Sequence, residues 1–132
     1  MYKFGEASYK RLETCHPKIQ EILDEAIQIV DFSVLCGVRR EEEQNNLFHS
    51  GMSKVQFPNS KHNSIPSLAV DIAPYPIDWN DTKRFTHLIG IVRGIAHMKG
   101  IEIRCGIDWD RDGDITDHSF MDYPHFELVL AV

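Results

Sequence analysis

The sequence predicts an α+β fold built on a small, largely antiparallel sheet. Two long segments repeat apolar residues at spacings of three and four, as helices do, and four short runs alternate or cluster as strands do. The third observation is size. With 132 residues, 42% of them hydrophobic and 26% charged, the chain is long enough to bury a core and is expected to form one domain over 1–132.

The elements follow in order. His16-Pro17 reads as a helix entry, because proline at the first helical position lacks only an N–H that has no partner there. Ile19, Ile22, Leu23, Ala26, Ile27 and Val30 then form one apolar stripe, so a helix is expected over 16–30. Phe32-Ser33-Val34-Leu35-Cys36 is a short strand stopped by Gly37. Glu41 to Ser50 is polar and helix-favouring, with acids in its first turn and Gly51 as its stop. Residues 51–67, rich in Gly, Ser, Pro and Asn, read as a loop. Leu68 to Ala73 alternates like a strand as far as Pro74. Asn80 or Asp81 caps a second long helix, with Phe85, Leu88, Ile89, Val92, Ile95 and Ala96 as its buried face and Gly100 at its end. Ile101 to Arg104 is a strand, an acidic loop follows, and Phe126 to Val132 closes the sheet.

Composition narrows the function. The net charge is −6, and residues 108–122, with six aspartates against one arginine, hold −5 of it. A chain nearly neutral outside one acidic loop has no basic face for nucleic acid, and the loop itself calls for a cation. No run approaches the ~20 apolar residues of a membrane span. Met1 to Glu6 shows neither the apolar core nor the cleavage site of a signal peptide. Cys15, Cys36 and Cys105 are odd in number and scattered, so they are expected to be free, mostly buried thiols without a metal role.

The chemistry concentrates in two strands. On 68–73, Leu68, Val70 and Ile72 share the core face, while Asp71 stands on the other between Ala69 and Ala73. A carboxylate with only methyl groups beside it needs a cation or hydrogen-bond donors, and His62 on the preceding loop can fold back to it. In Asp122-Tyr123-Pro124-His125-Phe126-Glu127-Leu128, His125 and Glu127 share one face, while Phe126, Leu128 and Leu130 share the other. His62, Asp71 and His125 would give zinc three protein ligands and leave a fourth position for water, the open arrangement of a catalytic site. Asp122, one tight turn earlier, would take a proton from that water. Against this, seven histidines make chance pairings cheap. His16, His49, His87, His97 and His118 read as cap, helix end, solvated helix positions and loop.

Together, Ser60-Lys61-His62, Ala69-Val70-Asp71 and Asp122-Tyr123-Pro124-His125 resemble, in order, the signatures of zinc D,D-carboxypeptidases and L-alanyl-D-glutamate endopeptidases. Leu12 to Pro17, Asp31 to Val34, Gly37-Val38-Arg39 and Glu43-Gln44 resemble the start of the phage endolysin branch. The resemblance implies a Hedgehog/D,D-peptidase fold and hydrolysis of peptidoglycan stem peptides. It implies zinc on His62, Asp71 and His125, with Asp122 as general base. It further implies Arg39 facing the site and Ser60 positioning substrate, although a surface ion pair and an ordinary loop hydroxyl account for these two equally well. One departure stands out. Nine positions separate His62 from Asp71 where the family has seven, and Ser67 replaces an expected glycine, which reads as a change in the pocket wall.

Asp108, Asp110 and Asp112 fall at positions 1, 3 and 5 of an EF-hand-like loop, with Gly113 at 6 and Asp114 at 7. Position 12 is Ser119 rather than glutamate, and Asp117 or Asp114 would have to substitute. The loop reads either as a calcium site or as a solvated acidic turn. Mutual repulsion among the carboxylates favours calcium.

The sequence therefore leads to a monomeric zinc peptidase cutting bacterial wall peptides, most closely L-alanyl-D-glutamate. It would be made in a bacterial host's cytoplasm and act on the wall after release. A D-alanyl-D-alanine carboxypeptidase or dipeptidase, or a non-catalytic calcium-dependent binding module, remains open at this level.

Overall fold

A computed structural model of the chain describes residues 2–116 and 121–129. Four helices and four strands follow the order α1 (Glu6–Glu13), α2 (Pro17–Ala26), β1 (Phe32–Cys36), α3 (Glu41–His49), β2 (Ala69–Pro74), α4 (Thr82–Met98), β3 (Ile103–Cys105) and β4 (His125–Leu128). The sheet order is β1-β2-β4-β3, and every neighbouring pair is antiparallel. The α+β expectation and the sheet's direction hold. The last strand begins one residue earlier than expected, and its expected end at 130–132 lies outside the described residues.

The core forms where the two apolar stripes meet one face of the sheet. Ile19, Ile22 and Leu23 of α2 and Leu88, Ile89 and Val92 of α4 join Val34, Val70, Ile72, Phe126 and Leu128 in one cluster. Burying a side chain of this size contributes about 1.5–3 kcal/mol. The ends of the helices follow the expected chemistry. His16 Nδ1 accepts from the Lys18 N–H, the Asp81 carboxylate accepts from the Arg84 N–H, and Gly51 and Gly100 take the left-handed backbone that ends α3 and α4. Among the described residues no helix is long and apolar enough to cross a membrane.

Helix α1 was not expected. It buries only Ser8 and Leu12, too little to leave a stripe in the sequence. Its role is polar. Ser8 Oγ accepts from the Val34 N–H at 3.0 Å and Arg11 donates to the Val34 carbonyl at 3.1 Å, so α1 satisfies the outer edge of β1. An uncovered edge would template pairing with other chains.

The loop longer by two positions proves not to be pocket wall. Ser67 is fully buried and pairs its backbone with Thr14 and His16, while Ile65 and Pro66 point to solvent. Residues 63–68 do not line the cleft described below. The segment is stapled to the α1–α2 junction.

Candidate active site

The face of the sheet opposite the core carries the polar residues. Register places Asp71 directly across from His125, and Ala69 across from Glu127. His62 descends onto Asp71 from a 3-10 turn over Lys61–Asn63. Asp71 Oδ1 lies 3.4 Å from His62 Nε2 and 3.3 Å from His125 Nδ1. For tetrahedral zinc with bonds of ~2.0–2.1 Å, neighbouring donors stand about 3.3–3.4 Å apart. His62 Nε2 is buried and faces the Asp71 carboxylate as an ion-pair partner rather than through a well-aligned hydrogen bond. The two distances to Asp71 and the donor chemistry fit a divalent metal of the zinc type.

Each donor is oriented from behind. His62 Nδ1 donates to the Gly37 carbonyl at 2.8 Å, and the His62 backbone carbonyl accepts from Arg39 N at 2.7 Å. These bonds turn Nε2 towards Asp71. His125 Nε2 donates to Glu127 Oε1 at 2.9 Å, which reserves Nδ1 for the centre. Glu127 is held in turn by Arg104 at 2.7 Å and Lys61 at 3.3 Å. Outer partners of this kind fix the tautomer and ring angle of a metal-binding histidine.

The electrostatics agree. Burial disfavours an imidazolium at His62, but Asp71 and Cys36 outweigh it and push the group up to about 10. Burial likewise opposes charge on Asp71, yet the two histidines hold its carboxyl well below the usual range. The two rings supply the positive charge Asp71 requires; a metal ion bound there would take over that role by displacing protons. Glu127, despite its burial, is lowered to about 2 by His125 and Arg104. We expect Glu127→Gln to weaken metal affinity by about 10–100-fold while the fold persists. Competition against a chromophoric chelator measures this, and unchanged affinity would show that His125 needs no such support.

Asp122 borders the same cleft. Burial, and then the charge of Asp71, raise its carboxyl above the ordinary value, the condition expected of a proton carrier. Its position depends on Gly106, whose N–H donates to the His125 carbonyl and whose carbonyl accepts from Asp122 N, both at 2.8 Å. A methyl group on Gly106 would run into the Asp122 carbonyl and stand 2.9 Å from its Cβ. Gly106→Ala is therefore expected to cost about 1–3 kcal/mol of stability by overpacking and to displace both Asp122 and His125. Thermal unfolding and metal titration of the variant would reveal both effects.

Of the remaining expected residues, Arg39 faces the site, donating to Asp71 Oδ2 at 3.3 Å and to Gln44 Oε1 at 3.1 Å. Ser60 lines the cleft, and its oxygen accepts from the His62 N–H at 3.2 Å, so it caps the turn that presents His62. Four supports were not foreseen. Gln44, fully buried, bonds Ser53 and Val55 and steadies Arg39. Glu127 shared a face with His125 in the alternation pattern, but its partners Arg104 and Lys61 meet it only through space. Trp109 sets its ring 5.5 Å from that of His125. Cys36, expected to lie apart from any metal, stands with His62 and Asp71 in a group whose ligand atoms all fall within 4.8 Å.

In the acidic loop, Asp108, Asp110 and Asp112 also bring ligand atoms within 4.8 Å of one another. Gly113 turns at φ +84°, while the Asp114 carboxylate accepts from the N–H and hydroxyl of Thr116 instead. Ser119, Asp117 and His118 lie outside the described residues.

The cleft above the donors has a volume of about 470 Å³, within the size range of small-ligand sites. Nitrogen and oxygen donors on a sheet floor, with a raised carboxylate at the rim, define the class as a hydrolase whose site suits a divalent metal. The chain belongs to the phage L-alanyl-D-glutamate peptidase family, whose profile matches residues 1–129. It is 33% identical over 136 residues to the L-alanyl-D-glutamate peptidase of Escherichia phage T5, with 97% of this chain and 98% of that one covered. The crystal structure of the L-Ala D-Glu endopeptidase ChiX of Serratia marcescens superposes with a TM-score of 0.76 at 26% identity, over 96% of this chain and 90% of that one.

Proposed function

We propose that the chain, as one catalytic domain, hydrolyses the L-alanyl-D-glutamate bond of bacterial peptidoglycan and acts as a phage or prophage endolysin. The observation that carries this is the His62–Asp71–His125 donor set beneath a cleft with Asp122 on its rim, in a member of this family. Zinc, held by His62, Asp71 and His125, would supply Lewis acidity and lower the pKa of water towards ~7. Asp122 takes the proton of the attacking water and delivers it to the leaving amine. Arg39, aimed by Gln44 and Asp71, faces the charge that develops on the carbonyl oxygen. Ser60, its oxygen committed to the His62 N–H, keeps one O–H to offer a peptide carbonyl. The enzyme works as a monomer, made in the host cytoplasm and released onto the wall.

Mass spectrometry of digested peptidoglycan, with metal measured on the same sample, tests the reading. A cut after L-alanine with one zinc per chain is expected; release of terminal D-alanine would assign a carboxypeptidase instead. The acidic loop belongs to the same proposal as a calcium site that steadies the segment leading to Asp122. The convergence of Asp108, Asp110 and Asp112 and the turn at Gly113 support it. Arg93, 3.6 Å from Asp108, competes as a counter-charge. Hydrolysis that is unchanged when calcium is chelated and zinc retained would overturn the calcium role.

A further inference from the structure

Beside the row that holds Asp71 and His125, the sheet carries a second row of charge. Arg104 of β3 lies directly opposite Glu127 of β4, as Asp71 of β2 lies opposite His125. Directly opposed residues on antiparallel strands share a face. His125 and Glu127 are two positions apart, so the rows stand ~7 Å from one another on the cleft side of the sheet. Glu127 is 9% exposed, while the cations resting on it are open, Arg104 at 37% and Lys61 at 34%. Its single charge is shared among Arg104, Lys61 and the His125 ring. Arg104 sets Nε and Nη2 on the same oxygen, Glu127 Oε2, at 3.2 and 2.7 Å. Glu127 thus fixes the guanidinium from one side, and the end-on fork of Nη1 and Nη2 remains for a second carboxylate. Both cations line the cleft with Arg39 and Lys54, and the four outnumber its carboxylates in a chain whose net charge is −6. A cleft that gathers positive charge on an acidic protein attracts an anion.

We propose that Arg104, with Lys61 beside it, determines specificity by binding the free carboxylate of the glutamyl residue whose nitrogen leaves on cleavage. The inference rests on the reading of the chain as an L-alanyl-D-glutamate peptidase with its metal at His62, Asp71 and His125. A glutamyl residue joined by amides at its nitrogen and at one carboxyl keeps the other carboxylate, within one residue of the scissile bond. That is the step from the metal row to the Arg104 row. A guanidinium meets a carboxylate through two parallel N–H bonds. A carboxamide in the same place brings no charge and turns an NH₂ group, itself a donor, towards the donors of Arg104 and Lys61.

Two synthetic muropeptides that differ only at this group, one with the free carboxylate and one with a carboxamide in its place, test this on the zinc-loaded protein. The native kcat/KM for the carboxylate peptide is expected to exceed that for the amide by about 10–100-fold, the worth of a hydrogen bond to a charged group. Arg104→Gln is expected to bring the ratio close to one, Arg104→Lys to restore part of it, and Lys61→Gln to lower it by a smaller factor. Because the ratio is taken within each variant, any loss of metal through a loosened Glu127 cancels from it. Equal rates on the two peptides in the native protein, or a preference that neither Gln variant diminishes, would overturn the role of these cations and leave the peptidase reading standing. A native protein that cuts neither peptide, or only removes terminal D-alanine from both, would overturn both readings.

Discussion

Asp71→Asn is expected to cost the protein its metal and its turnover together. One oxygen of Asp71 faces both imidazoles, and the other takes the Arg39 guanidinium. The amide keeps the shape but removes the charge that draws a cation there. Loss of an outer partner lowers metal affinity about 10–100-fold, and loss of this inner charge should exceed that. Arg39 is left poorly compensated in a largely buried position, where breaking an ion pair costs about 3–5 kcal/mol. Metal content after dialysis, hydrolysis of purified peptidoglycan and thermal unfolding read the three effects. A variant that retains one metal per chain would remove Asp71 from the ligand set.

Asp122→Ala separates the proton carrier from the metal. Its carboxyl owes its raised affinity for a proton to burial and to the charge of Asp71. Removing it should leave metal binding within a few-fold of native and lower turnover by about 10²–10⁴, the usual worth of a positioned acid–base group. Single-turnover cleavage of a muropeptide, with metal measured in parallel, is the appropriate assay. Activity near the native level would mean that another group carries the proton. Loss of the metal as well would mean that Asp122 supports the sheet floor rather than the reaction.

Much of this site could be read in advance because its residues obey strand periodicity. Asp71 stood alone between two alanines opposite a Val70–Ile72 core face, and His125 with Glu127 alternated against Phe126 and Leu128. Period two is a local property, and there it was enough. Cys36 was set apart because the three cysteines are scattered along the chain; its place beside His62 and Asp71 follows a register shift in β1 that leaves no mark in the sequence. Helix α1 escaped because its work is done by two polar side chains, Ser8 and Arg11, that complete a strand edge and need no apolar stripe. Gln44 and the Arg104–Glu127 pair act through contacts between distant segments, which spacing along the chain cannot express. The longer loop after His62 was assigned to the pocket because it neighbours a ligand in sequence. Its backbone pairs instead with Thr14 and His16.

The proposed donors come from segments remote in sequence, His125 lying 54 positions beyond Asp71. No part of the chain assembles the set before β2 and β4 have paired, so the unfolded chain offers an ion nothing comparable. An ion that binds only the paired sheet shifts the folding equilibrium by mass action, by about 2.7 kcal/mol at a hundredfold excess over Kd. Zinc supply would then govern how many molecules are folded as well as how fast each one turns over. A cell poor in zinc would hold fewer intact copies, and those more open to proteolysis.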